Sequence, residues 1–191
     1  MVKRIAVIGP QGVGKTSLII KYIKKHFYES YVTTIIGDTN IDMNGNIIWD
    51  TPGMIGWRNM FDIEIITKTV YGYILCFDPS IDMSFHEALT LIDSLKVEDK
   101  PVVLAACKTD ILPFNIRPEW STEAAARGWK IIGTSSKNNK GITRLFEEIF
   151  KIVLKEDEIV LGRLEYATDL MSSCIYSSIN NYIYEFNSGN S

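Results

Sequence analysis

The sequence predicts an α/β fold in three layers, a mostly parallel six-stranded sheet with helices on both faces. Three observations carry this prediction. Apolar runs of strand length alternate with amphipathic helical patterns. The runs YGYILCFD (71–78) and PVVLAAC (101–107) are almost wholly apolar, as strands covered on both faces are. Asn44-Gly45 between two further strand candidates signals a two-residue hairpin turn, which puts one antiparallel strand at an edge.

The elements follow in order. KRIAVIG (3–9) is the first strand candidate. KTSLIIKYIKKHF (15–27) sets Leu18, Ile19, Tyr22 and Ile23 on one helical face with lysines opposite. IGDTNIDM and NIIWD flank the hairpin. After 71–78 comes a helix over 84–96, then the strand 101–107. A short helix over 121–127 is closed by Gly128. WKIIGTS (129–135) resembles the other buried strands, and 141–154 carries an apolar stripe of Ile142, Leu145, Phe146, Ile149 and Val153. Ligands of such sheets bind at the carboxyl ends of the strands. Residues 155–191 leave the alternation and read as a partly helical appendage, which divides the chain into 1–154 and 155–191.

Bulk composition narrows the function classes. The 191 residues suffice for one domain with a sizeable core. A net charge of −3 gives no bulk reason to expect nucleic acid or an anionic membrane as the main partner. The three cysteines, Cys76, Cys107 and Cys174, are scattered and fit a reducing compartment, so the expectation is a cytoplasmic protein. Two histidines are too few for a histidine metal centre. No apolar stretch reaches 18 residues, and neither a Gly at position 2 nor a cysteine four from the end marks a lipid anchor. Peripheral membrane association stays open.

GPQGVGKTS (9–17) matches the pattern of Gly, four residues, then Gly-Lys-Ser/Thr. Gly9, Gln11, Gly12, Val13, Gly14, Lys15, Thr16 and Ser17 are the candidate phosphate-binding residues. The glycines let the backbone turn tightly and aim N–H groups at phosphate oxygens. The helix starting near Lys15 adds its positive end. Lys15 supplies a point charge and Thr16 a hydroxyl for Mg²⁺. Strand before and helix after give the motif the context of a P-loop NTPase three-layer fold. Asp50 ends a strand just before Thr-Pro-Gly, either as the acidic residue that supports Mg²⁺ or as an aspartate that starts a turn.

Two later strand ends carry polar clusters, CKTD (107–110) and TSSK (134–137). A carboxylate accepts two hydrogen bonds from the N1–H and N2 amino group of guanine, and adenine offers no such pair. Asp110 is the candidate for that contact, with the stem of Lys108 along the base face.

Over residues 3 to about 154 the chain resembles the small Ras-like GTP-binding proteins, atypical in some of its motifs. GPQGVGKT looks like their phosphate loop. Thr34, nineteen residues after Lys15, stands where the family has its first-switch threonine. DTPG (50–53) is similar to the second-switch motif Asp-x-x-Gly. CKTD looks like Asn-Lys-x-Asp, and TSSKNNKGITRLF like the Ser-Ala-Lys loop and its helix. The resemblance implies a molecular switch that binds GTP/GDP with Mg²⁺ and is a GTPase of low intrinsic rate. Thr16, Thr34 and Asp50 would serve the metal. The Gly53 N–H would contact the γ-phosphate. Lys108, Asp110, Ser135, Ser136 and Lys137 would hold the base. Effector and regulatory proteins would read switch regions 28–38 and 50–62.

Three departures qualify this. Met54 stands where the family places the glutamine that orients water. The site is then slow or uses another group. Gln11 occupies a phosphate-loop position where Ras-like proteins often have glycine and dynamin-like GTPases a catalytic glutamine. It either orients the water or is a polar loop residue near solvent. Cys107 replaces the asparagine of the guanine motif, which implies faster nucleotide exchange. Two rival readings follow: a non-hydrolysing GTP/GDP-binding scaffold that works as a binding module or heterodimer subunit, and a phosphate-loop kinase for a small molecule.

Overall fold

The structure is a computed structural model and describes residues 2–29, 38–53, 67–97, 100–111 and 115–154. Its contacts set Met1–Val153 apart as one unit and Leu154–Ser191 as another. The first contains a six-stranded sheet: β1 (Arg4–Ile8), β2 (Asp38–Ile41), β3 (Ile47–Asp50), β4 (Gly72–Phe77), β5 (Val102–Ala106) and β6 (Lys130–Gly133). The spatial order is β2-β3-β1-β4-β5-β6, and β2 alone runs antiparallel to its neighbour. Helices α1 (Lys15–Lys24), α2 (Ser84–Ser94), α3 (Pro118–Ala126) and α4 (142–154) cover its faces. Among the described residues no helix is long and apolar enough to cross a membrane.

The period-2 alternation of strand side chains builds two cores. Ile5, Val7, Ile74, Cys76, Val103 and Ala105 face α1 and α4, where they meet Leu18, Ile19, Leu145, Phe146 and Ile149. Ala6, Ile8, Tyr73, Leu75, Phe77 and Leu104 face α2 and α3, where they meet Phe85, Ala88, Ile92, Trp120 and Ala124. β4 and β5 are interior strands of the sheet and are buried along their whole length, as their uniform apolarity predicts.

The structure corrects five local expectations. The hairpin is not a two-residue turn on Asn44-Gly45. A β-turn spans Asp42 to Gly45, closed by the Gly45 N–H on the Asp42 carbonyl at 3.0 Å, with Gly45 at φ 78°. The Asp42 carboxylate accepts the N–H groups of Asn44 and Asn46, both at 2.9 Å, and so selects the three-residue loop. α3 begins three residues before Ser121, because Pro118 suits a first helical turn and Trp120 is anchored 5.1 Å from Phe77. α1 stops at Lys24 rather than 27 and α2 at Ser94 rather than 96, with Lys25 and Lys96 in the left-handed region. β6 is an edge strand with Lys130 exposed, not a strand covered on both faces.

One crossing positions the site. Gly9 leaves β1 at φ 148°, and a Cβ there would lie 2.3 Å from the Cys76 carbonyl oxygen on β4. Only glycine can make that crossing. Gly9→Ala is therefore expected to cost about 1–3 kcal/mol, seen as a lower midpoint in urea unfolding. Phe146 is fully buried and stacks on Tyr22 with ring centroids 3.8 Å apart. Phe146→Ala should cost about 3–5 kcal/mol in the same measurement, with an unchanged slope.

Candidate functional site

The carboxyl ends of β1, β3, β4, β5 and β6 lie along one edge of the sheet, and the polar segments follow them there. After β1 the chain turns through Gly9, Gly12 and Gly14, all at positive φ, and enters α1. Val13 is buried in the core beneath the loop and fixes it to the sheet. Gly14 is the N-cap and brings no capping side chain of its own.

The Lys15 ammonium is buried and donates to the carbonyls of Gly9 at 3.0 Å and Pro10 at 2.9 Å. Burial lowers its pKa below the usual lysine value. The Thr16 hydroxyl donates to Asp50 Oδ2 at 2.6 Å. Asp50 Oδ1 is buried and has no hydrogen-bond partner among the described residues. Burial raises the Asp50 pKa, against the opposing effects of the Thr16 hydrogen bond and the nearby Lys15 charge. A buried carboxylate oxygen with spare acceptor capacity beside a threonine hydroxyl fits a hard divalent cation.

The corner after Asp50 is pinned by the Thr51 hydroxyl, which donates to the Val7 carbonyl at 2.8 Å. Gly53 lies directly against the phosphate loop. A Cβ built on it would fall 2.5 Å from Gln11 Cα and 2.6 Å from Gln11 Cβ. Gln11 itself is exposed at the lip of the loop.

At the other end, the Cys107 N–H donates to the Phe77 carbonyl at 2.8 Å, and the Thr109 N–H to that of Thr134 at 3.1 Å. These bonds bring CKTD and TSSK side by side. Ser135 Oγ donates to Asp110 Oδ1 at 2.5 Å and accepts the Asn138 N–H at 3.0 Å. Ser135 is buried and orients Asp110, whereas Ser136 and Lys137 face the cavity. Lys108 sits at φ 57°, and its Cε lies 3.9 Å from a Cβ built on Gly14. Its ammonium pairs with Asp78 Oδ2 at 2.9 Å.

A cavity of about 410 Å³ lies between the glycine-rich loop and the CKTD and TSSK segments. Gly12, Gly14 and Ser17 form one wall, and Lys108, Asp110, Ser136 and Lys137 the other. Its volume lies in the range of small-ligand sites. Phe27 and Tyr28 also line it, which the sequence reading missed. The available signal was an aromatic pair just past the end of α1. Asp78 was missed too, although it is the one charged residue closing an otherwise apolar strand run. The first-switch Thr34 lies outside the described residues, as do Met54, most of 28–38 and 50–62, and all of 155–191.

Comparison with known proteins agrees with this architecture. The Ras family model matches residues 4–155. The chain is 30% identical over 179 residues to human Ras-related protein Rab-7b, a match covering 83% of this chain and 85% of that one. It is 30% identical over 166 residues to GTP-binding protein rhb1 of Schizosaccharomyces pombe, covering 81% and 89%. It is 31% identical over 163 residues to GTP-binding protein Di-Ras2 of Pongo abelii, covering 78% and 80%. On the extent of the family match and of these relationships, the chain belongs to the Ras family of small GTPases.

Proposed function

We propose that this protein is a guanine-nucleotide switch that binds GTP and GDP with Mg²⁺ and hydrolyses GTP slowly. The observation that carries the reading is the cavity running from the glycine-rich loop to Asp110. Phosphates would meet the loop N–H groups, the start of α1 and Lys15. The base would lie over the Lys108 stem and beside Phe27, with its N1–H and N2 amino group on Asp110. Ser135, Ser136 and Lys137 close that end. Thr16, Asp50 and Thr34 would hold Mg²⁺, which when bound supplies positive charge to the outer phosphates.

For hydrolysis, the Lys15 charge and the N–H groups of the loop and of Gly53 would stabilise the charge on the transferring phosphoryl group. Gln11 is the candidate to orient the attacking water. Residues 1–154 would form the nucleotide domain, with 155–191 as an appendage to it. Switch regions 28–38 and 50–62 would meet effectors and regulators, in the cytoplasm.

Base recognition is tested by competition. GTP should displace a bound guanine nucleotide while ATP does not, which also separates this reading from a small-molecule kinase. Inosine triphosphate lacks the 2-amino group and should bind about tenfold or more weaker than GTP. Asp110→Ala should weaken GTP and bring it level with inosine triphosphate.

Turnover is tested by loading the protein with GTP and Mg²⁺ and quantifying GTP and GDP by ion exchange over time. Conversion is expected at or below the order of 10⁻⁴ s⁻¹ that is typical of unassisted Ras-type proteins. Gln11→Ala should slow it about tenfold or more with binding intact, given the usual size of such contributions. Equal rates would remove Gln11 from the mechanism. Persistence of bound GTP in the unaltered protein would instead favour the scaffold reading.

A further inference from the structure

Asp78 belongs to no motif that defines the nucleotide site, yet it touches one. It follows the last residue of β4, and the adjoining chain is locked to it: Phe77 pairs with Ala106, and the Cys107 N–H donates to the Phe77 carbonyl at 2.8 Å. The Asp78 side chain is 2% exposed. Its Oδ2 lies 2.9 Å from Lys108 Nζ. Its Oδ1 accepts the Ser80 N–H at 3.0 Å and the Ser80 hydroxyl at 2.6 Å. Its own N–H donates to Ser84 Oγ at 2.8 Å, at the start of α2.

We propose that Asp78 is a positioning residue for guanine-nucleotide binding, which pins the Lys108 ammonium so that the lysine stem is already laid out as a platform for the base. The inference rests on the guanine-nucleotide reading above.

The geometry supports it at three points. Lys108 is anchored at both ends. Its backbone is held at φ 57° in the CKTD turn, where the Ile111 N–H donates to its carbonyl at 3.0 Å, and its head is held by Asp78. Between the anchors the stem passes the phosphate loop at Gly14 and lines the cavity. A free lysine samples many rotamers, and fixing it before a ligand arrives removes that ordering cost from binding. Finally, Cys107 cannot supply the amide hydrogen bonds of an asparagine, so the ion pair on the next residue carries more of the task of holding the base loop. Burial alone would raise the Asp78 pKa, but the hydrogen bonds from Lys108 and Ser80 outweigh it and hold the carboxyl below its usual value. The group is therefore ionised at neutral pH.

The test follows release of N-methylanthraniloyl-GDP, and of the matching inosine diphosphate, by stopped-flow fluorescence. Asp78→Asn should speed release of both by the same factor, roughly tenfold for loss of a buried charge-assisted bond. An equal factor is expected because the N2 amino group is read by Asp110, not by the lysine stem. In a Lys108→Met background, adding Asp78→Asn should change the rate less than about twofold, since the two residues act as one unit. An unchanged rate in the single variant, or additive effects in the double variant, would overturn the role of Asp78. Should Lys108→Met bind too weakly to time, Ser80→Ala decides, because it trims the same carboxylate network and leaves the ion pair in place. A rate near the unaltered protein's supports the proposal, and a tenfold rise assigns the effect to the turn and overturns it. Absence of guanine-nucleotide binding by the unaltered protein would overturn the underlying reading itself, a result separate from any of these.

Discussion

The whole site depends on one close approach, the passage of Gly9 over the Cys76 carbonyl. With 2.3 Å between that oxygen and any Cβ, the backbone has no alternative residue to use there. Because the chain can leave β1 so tightly, the next turns stay within the sheet edge rather than running out into solvent. Lys15 then reaches back to the Gly9 and Pro10 carbonyls, and Thr16 meets Asp50 from β3. Two strands adjacent in space but forty residues apart in sequence are thereby joined through a loop that neither could shape alone.

The two halves of the site differ in how their charges are satisfied. At the base end the carboxylates have their partners: Asp78 has Lys108 and Ser80, and Asp110 has Ser135. At the phosphate end Asp50 retains a buried oxygen without a partner among the described residues, and burial shifts both Asp50 and Lys15 toward their neutral forms. Buried charge held short of full compensation is costly. A ligand bringing both phosphate oxygens and a cation would relieve that cost, and any such ligand stabilises the folded form by mass action. The Asp110 end is assembled in advance, and at the Lys15 end a ligand of that kind would gain binding energy.

Much of this was legible in the sequence because it is written in local backbone demands. Three glycines in nine residues, placed between an apolar run and an amphipathic one, announce their turn, and the central strands announce themselves by unbroken apolarity. What stayed illegible depends on contacts between distant residues. Asn44-Gly45 suits more than one hairpin, and the choice is made by the side chain of Asp42. Ser135 turns its hydroxyl to Asp110, a partner 25 residues away that the TSSK segment does not name. Asp78 and Lys108 are 30 residues apart, and nothing in either segment names the other. Trp120 sets the start of α3 by packing on Phe77, a contact that no helix-start signal encodes.

The contact between Gly53 and Gln11 ties the two ends of the opening motifs together. Residue 53 in a Ras-like site is ordinarily explained by its N–H, which has to approach phosphate. Here the fold imposes glycine for a second reason: any Cβ would enter the backbone of residue 11. The DTPG corner, pinned to β1 through Thr51, is thus also in close contact with the phosphate loop at Gln11. Met54 follows this fixed point and brings no directed hydrogen-bonding group. Among the described residues of the phosphate loop and that corner, Gln11 is the side chain that carries an amide. Its backbone packs closely against Gly53 while its side chain is exposed. A water-orienting role for Gln11 would require that exposed amide itself to be ordered, because the entropic advantage of a positioned group is lost if the group can drift.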